Sequence, residues 1–327
     1  MSTDATAGDH DLMVQVAWLY YVGGNSQEDI ARKLGVSRFK ITRILAQARE
    51  AQIVKISIEH ATADTLALAD RFERAFGLGE VIVTPSVDPG SRAEEGDTPD
   101  SVARRGVAIA ASRLVSRRLQ TEGPVTVGVG WGRSLAAFAD AFSGVRKKDV
   151  RFVSLMGSLT RNAATNSFDV VVTLARATGG EAYFLPAPFI ANSVSDVPVF
   201  LAQRSVQETL ALARTADFLL ISLGECDADS LLYRSGLISD ADLADLAAAG
   251  AVGDTTGKFF DAEGRLVDSE INERTPSIGL ADMHAREVVL LAAGLGKVAA
   301  LGAILKAGFV NRLVVDERLA RALLEKA

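Results

Sequence analysis

Residues 27–45, QEDIARKLGVSRFKITRIL, constrain this chain more than any other stretch. Apolar side chains recur at Ile30, Ala31, Leu34, Val36, Ile41 and Ile44, the spacing of two short helices packed at a steep angle. Ser26 is placed to accept from the free N–H groups that open the first helix, and Asp29 stands three residues on, in the place of a capping-box acid. Ala31 is small where the helices approach most closely, and Gly35 can adopt the positive φ of a tight turn. Ser37 then caps the second helix. With Val36, Ile41 and Ile44 turned to a small core, Arg38, Phe39, Thr42 and Arg43 face outward from the first two turns. This is helix-turn-helix spacing, and the leading end of such a second helix enters the major groove of DNA. Ser37, Lys40 and Arg32 join the expected nucleic-acid set, Lys40 and Arg32 mainly on phosphates.

Charge agrees with that orientation. Between residues 26 and 55 there are seven cations against three acids, a local balance of +4 in a chain of formal charge -6. A basic island suits phosphate binding, while an acidic remainder discourages indiscriminate attachment to nucleic acid. The bland alternative is a helical hairpin with a solvated basic face.

The chain has 327 residues, 48% of them hydrophobic, enough for a full core and more than one domain. Its single cysteine, Cys226, excludes an internal disulfide and leaves no thiol cluster for a metal, which fits a cytoplasmic protein. No cofactor or metal-ligand pattern is visible, and His10, His60 and His284 have no evident catalytic partners. The most apolar segment, 288–310, is interrupted by Lys297 and Lys306, so no run reaches the roughly 18 residues of a membrane span.

Three domains of organisation are expected: a disordered tail over 1–11, a helix-turn-helix domain over 12–60 and a larger domain over 61–327. In the first, Leu12, Val16, Leu19 and Tyr20 predict a supporting helix, and alternation over 53–58 predicts a short exit strand. In the larger domain, a loop over 85–100 precedes a helix over 102–119. Strand-like runs at 80–84, 125–129, 152–156, 182–185, 218–222, 287–291 and 312–315 alternate with helical ones at 134–142, 170–177, 199–213, 241–249, 297–307 and 317–325. Such alternation predicts an α/β fold with a mainly parallel sheet.

Ligands of open parallel sheets gather at the carboxyl ends of the strands. The clearest loop there is 127–134, VGVGWGRS, where Gly128, Gly130 and Gly132 permit close backbone approach and Trp131, Arg133 and Ser134 lead into a helix N-terminus suited to an anion. It is not a dinucleotide fingerprint, because Arg133 stands where that pattern needs glycine, and it lacks the Gly-Lys-Ser/Thr of a triphosphate loop. Three further corners share its character: Gly157-Ser158, Asp254 within GDTT, and Lys297 at the end of AAGLGK. Taken singly each is only a turn; together they predict one polar pocket, with Lys297 as a point charge for a phosphate or carboxylate.

The ordered set QEDIARKLGVSRFKITRILAQAREAQIV, VGVGWGRSL, LMGS, LPAP, GDTTGKFFDAEG, NER, AAGLGKVAALGAIL and LVVDE resembles the SorC type of sugar-responsive bacterial transcriptional regulators, over nearly the whole chain. The resemblance implies an effector domain related in fold to sugar-phosphate isomerases and glucosamine-phosphate deaminases but used for binding, and a homo-oligomer, dimer or tetramer, on operator DNA. Two departures stand out: Gly157-Ser158 replaces the common Gly-Gly, and Ser134 replaces a common Thr, keeping the hydroxyl. The expected function is a DNA-binding regulator controlled by a small carbohydrate, polyol or sugar phosphate. The competing one is a sugar-phosphate isomerase or deaminase with an accessory DNA module, disfavoured by the scarcity of histidine and of an acid/base pair.

Overall fold

A computed structural model describes residues 4–51, 53–54, 63–86, 98–158 and 167–326. The chain divides into two compact units, Met1–Glu59 and His60–Ala327.

The first unit is helical: α1 (Asp4–Ala17) runs into a π-helical turn (Trp18–Val22), followed by α2 (Gln27–Leu34) and α3 (Arg38–Glu50). The tail expected to lack structure up to residue 11 is helical from Asp4, with alanine, the strongest helix former, at positions 5 and 7. Gly23 N–H donates to the Trp18 carbonyl at 2.9 Å and ends the turn. Val16 and Leu19 close over Ile30, Ala31, Ile41 and Ile44 of the set the spacing picks out, with Leu45 added and Leu34 and Val36 only partly buried against it. The candidate exit strand falls largely outside the described residues, and its first two, Ile53 and Val54, are not in a strand. The expected loop over 85–100 also lies mostly outside them, and His60 lies outside them entirely.

The second unit holds ten strands among the described residues: β1 Glu80–Thr84, β2 Val125–Val129, β3 Val150–Ser154, β4 Glu181–Tyr183, β5 Phe218–Ser222, β6 Gly224–Glu225, β7 Ala251–Thr255, β8 Lys258–Asp261, β9 Glu287–Ala292 and β10 Arg312–Asp316. Seven build one sheet in the order β1-β10-β9-β5-β2-β3-β4, every neighbouring pair parallel. Continuous apolar runs suit such strands because both faces are covered. Leu219 and Ile221 of β5 join one cluster with Val288, Leu290, Leu313 and Val315, while Phe218 and Leu220 join the other with Val289, Leu291 and Val314. Helices Ala63–Phe76, Arg204–Arg214, Val298–Lys306 and Glu317–Leu324 pack on the first face; Pro99–Leu119, Arg133–Ala141 and Ser167–Thr178 pack on the second.

Two differences from the sequence reading have local causes. The helix expected over 199–213 is broken into Asp196–Leu201 and Arg204–Arg214, because Gln203 takes an extended backbone with ψ of 131°. The corner at Gly253 is part of an antiparallel sheet, β6-β7-β8, and not merely a turn. Thr256 and Gly257, with φ of 53° and 73°, form the two-residue connection between paired Thr255 and Lys258; positive φ at both positions matches the twist of a hairpin.

At the N-terminal ends of β1, β9 and β10, charges are interlocked. Arg312 binds both Glu80 and Glu287, Arg118 reaches Glu287 at 2.5 Å, and Arg117 reaches Glu80 at 3.2 Å. The Arg118 guanidinium also lies 4.9 Å from the centre of the Phe218 ring. No helix among the described residues is long and apolar enough to cross a membrane.

Candidate functional sites

In the first unit the turn chemistry is as the residues require. Asp29 N–H donates to Ser26 Oγ at 3.1 Å, while the Ser26 hydroxyl donates to the Asp29 carboxylate at 2.6 Å. Gly35 adopts φ 65° and ψ 31°, and Val36 N–H donates back to Ala31 O at 3.0 Å. Lys40 N–H donates to Ser37 Oγ at 3.2 Å, fixing the first turn of α3. The Thr42 hydroxyl lies 2.9 Å from Gln27 Oε1, across the two helices. Arg38, Lys40 and Arg43 are solvent-exposed, and Phe39 is 80% exposed, an unusual setting for a ring that has nothing to cover it. Arg32 is also exposed but spends part of its charge on Asp29, 3.4 Å away.

In the second unit the chain order reverses between β2 and β5: the sheet grows from β2 through β3 to β4, and from β5 through β9 to β10. A crevice opens at the carboxyl ends of strands at such a switch point. Here it is a cleft of about 40 Å³ between the loop after β2 and the loop after β5, closed by β7 and the turn before Val298. Gly130 N–H continues the ladder to Leu220 O at 2.9 Å. Gly132 follows with φ 125°, where a Cβ would press on Ser222 Oγ at 2.8 Å. The Ser222 hydroxyl donates to Trp131 O at 2.8 Å, and Thr255 Oγ1 donates to Ser222 O at 2.7 Å, so one serine joins the loop, the main sheet and the hairpin.

Four charged side chains border the cleft: Arg133, Glu225, Asp254 and Lys297. Arg133 and Glu225 are paired at 3.5 Å. Lys297 is 4% exposed and donates to Leu223 O at 2.8 Å; Asp254 is 6% exposed and accepts from Gly257 N–H at 3.2 Å. Neither has an ion-pair partner within 4.0 Å among the described residues. Burial pushes the Asp254 carboxyl up to about 7, against the Gly257 N–H bond, with the Glu225 charge adding to the rise. Burial likewise pulls the Lys297 ammonium down to about 8, with Arg133 and Arg104 adding to the fall and Glu225 opposing it. Gly224 is required beside them, since a Cβ there would collide with Asp254 Oδ1.

Of the residues predicted from sequence, Trp131, Gly132, Arg133, Asp254 and Lys297 come together at this cleft. Ser134 lies just behind, buried, with no hydrogen-bond partner for its Oγ. Gly128 and Gly130 serve packing: a Cβ on Gly128 would strike Leu155 and Leu219, and one on Gly130 would touch Leu135 and the Ile221 backbone. Gly157 and Ser158 occupy a neighbouring corner, where a Cβ on Gly157 would collide with Pro188 O and Ser158 N–H donates to Ala187 O at 2.9 Å. That corner meets the cleft through Phe189, whose N–H donates to Ser158 O and whose ring stands edge-on to Trp131 at 5.1 Å, and Met156 packs in the same cluster. Sequence reasoning missed Ser222, Glu225 and Ser230, which also line the cleft, as does Thr256 of the GDTT corner. The available signal was LGE directly after the apolar run FLLIS, a strand end with its own glycine.

Residues 60–325 match the family profile Sugar-bind, described as "Putative sugar-binding domain". The chain is 34% identical over 316 residues to the erythritol catabolism regulatory protein EryD of Brucella abortus, covering 97% of each. The chain belongs to the SorC/DeoR family of sugar-binding transcriptional regulators. Another member, the deoxyribonucleoside regulator of Bacillus subtilis, is 29% identical over 95% of this chain and 96% of its own. The fold agrees: a DeoR family transcriptional regulator from Listeria monocytogenes superposes with a TM-score of 0.71 at 26% identity, over 80% of this chain and 99% of that one. Full-length SorC from Klebsiella pneumoniae superposes with a TM-score of 0.69 at 23% identity, over 97% and 99%. As a member of this family the chain is a DNA-binding transcriptional regulator modulated by a sugar-type effector, and the isomerase or deaminase reading gives way to it.

Proposed function

We propose that the leading end of α3 reads operator DNA and that the switch-point cleft holds the effector. Arg38 and Arg43 take bases or phosphates, and Ser37, Lys40 and Arg32 position the module on the backbone, with Phe39 and Thr42 facing the groove. Trp131, Arg133, Asp254 and Lys297 hold a small carbohydrate, polyol or sugar phosphate, with Ser134 supporting the loop from behind. The observation that carries this reading is the pair of buried, oppositely charged side chains, Asp254 and Lys297, without ion partners among the described residues, at the place in the sheet where the topology makes a crevice. Buried charge without compensation is costly, and a polyhydroxy ligand supplies the missing donors and acceptors. The EryD relative, named for erythritol catabolism, favours the polyol end of this range.

A ligand shifts an equilibrium only by its difference in affinity for the two states, so the regulator works as a cytoplasmic homo-oligomer whose helix-turn-helix modules change competence together. One module buries too little surface for specificity, whereas two held at half-sites about a DNA turn apart gain effective concentration. The test is a mobility-shift titration on DNA upstream of the chain's own gene, with and without a panel of sugars, alditols and their phosphates, beside light scattering. Arg38→Ala with Arg43→Ala loses about 1–3 kcal/mol for each base contact. Undiminished affinity in that variant, no response to any panel member, or full binding by a monomer counts against the proposal.

A further inference from the structure

The charges on the lining of the cleft are balanced. Arg133 and Lys297 are matched in number by Glu225 and Asp254 on the lining. One layer out, Asp100 lies 3.9 Å from Arg318, and Arg104, one turn along helix Pro99–Leu119, is left with a buried Nε that has no hydrogen-bond partner among the described residues. The one ion pair on the lining, Arg133 to Glu225 at 3.5 Å, takes up the cation at the start of helix Arg133–Ala141, where an anion would otherwise sit. Glu225 cannot easily move aside: its backbone is paired with Gly253 in the β6-β7 ladder, and its side chain is mostly buried. A phosphate dianion entering this space would lose its hydration, meet two carboxylates and have to take Arg133 from one of them. Hydroxyl groups meet no such opposition. They donate to Glu225 and Asp254 and accept from Arg133 and Lys297, and Trp131 offers an apolar face to the carbon chain.

We propose that the cleft selects an uncharged polyhydroxy effector, an alditol or free sugar, over its phosphate ester, and that Glu225 determines this specificity by occupying Arg133 and presenting a carboxylate to the ligand. The inference rests on the reading of the cleft as the effector site. It makes Arg133 a donor to hydroxyls and not a phosphate anchor, although its place in a Gly-rich loop at a helix N-terminus reads, on sequence, as an anion site.

Calorimetric titration of the full-length protein at neutral pH, with four- to six-carbon alditols and aldoses and with the monophosphate of each, tests it. The preferred neutral ligand should bind at least about ten-fold more tightly than its own monophosphate, a difference of about 1.4 kcal/mol. Glu225→Gln keeps the side-chain shape, removes the charge and frees Arg133, and should shift that ratio about ten-fold toward the phosphate. Glu225→Asp, which keeps the charge, should retain the preference for the neutral ligand. A monophosphate that binds wild type as tightly as the neutral ligand, or a ratio unmoved by Glu225→Gln in a variant with wild-type circular dichroism, overturns the specificity. Affinities for both sets that are unaltered by Lys297→Ala overturn the placement of the site instead, and binding of no member of either set overturns both.

Discussion

The two ends of the parallel sheet carry charge clusters of opposite character. At the N-terminal ends, Arg312 lies between Glu80 and Glu287, and Arg117 and Arg118 close the ring from a neighbouring helix, with every carboxylate paired and every group partly open to water. At the C-terminal ends, Asp254 and Lys297 are buried, face a cleft, and among the described residues hold only backbone partners. The first arrangement pairs each carboxylate without a ligand and, among the described residues, leaves only one of its buried N–H groups, Arg118 Nε, unbonded. The second leaves two desolvated charges whose remaining hydrogen-bonding capacity opens on a cavity, and its protonation energies are displaced in consequence. Count of charges does not separate a structural cluster from a binding one; burial and the direction of the unused valences do.

Removing one member at each end should separate them most sharply. Lys297→Ala deletes a charge-assisted donor and is expected to weaken effector binding by about 1.5–3 kcal/mol and to abolish the operator response, with operator affinity itself unchanged. Asp254→Asn should weaken the effector less, since the amide keeps one acceptor. Calorimetry paired with mobility shifts reads both; a Lys297→Ala protein that still responds would make the two ends alike.

The next effect is on pH dependence, and the two buried groups pull in opposite directions. Asp254 has a folded value near 7, above its unfolded value, so its contribution to stability is full below the unfolded carboxyl range and is lost as pH rises through about 7. Lys297 has a folded value near 8, below its unfolded one, so its contribution is full above the unfolded amine range and is lost as pH falls through about 8. Between these values both are charged and unrelieved, which makes the ligand-free effector domain least stable, with respect to this pair, near pH 7–8. Urea unfolding across pH should show Asp254→Asn losing the decline toward pH 7 and Lys297→Met losing the recovery toward pH 10. Identical profiles for wild type and both variants would count against the burial argument.

At the other end, Arg312→Ala should cost about 1–2 kcal/mol by leaving Glu80 and Glu287 facing each other without their shared cation. Effector affinity should not move. Chemical denaturation and calorimetry on the same preparation check the two halves of this expectation.

The helix-turn-helix was legible because its determinants are local: Ser26, Gly35 and Ser37 each act on a neighbour within five residues, and the core is read from one amphipathic pattern. The parallel sheet was legible from alternation of apolar runs. The cleft was legible in pieces only. Trp131, Arg133, Asp254 and Lys297 carried a signal because each sits by a glycine-rich corner, but strand order decides which corners meet, and order is not written in any single segment. Gly157-Ser158 looked the same on sequence and lies a ring away, behind Phe189. Glu225 was missed because its strand has two residues and its role depends on Arg133, 92 positions earlier.

The smallest expected effect probes how the C-terminal end is held together. Ser222 ends β5; its hydroxyl donates to Trp131 O, and its carbonyl accepts from Thr255 Oγ1, while the position of Gly132 leaves no room for a bulkier contact against it. Ser222→Ala removes the first of these bonds and leaves the buried Trp131 carbonyl without that donor, a cost of about 1–2 kcal/mol. The carbonyl bond to Thr255 survives, so the hairpin should stay attached and operator binding should be unaffected. What should change is the precision of the 130–133 loop: Trp131 and Arg133 lose their tether, and effector affinity should fall several-fold, less than for Lys297→Ala because no ligand-facing charge is removed. Thr255→Val makes the complementary cut, releasing the hairpin side instead. If the two cuts weaken effector binding and their double variant is additive, the serine holds two independent walls of the cleft; a double variant much milder than the sum means the loop and the hairpin move as one body.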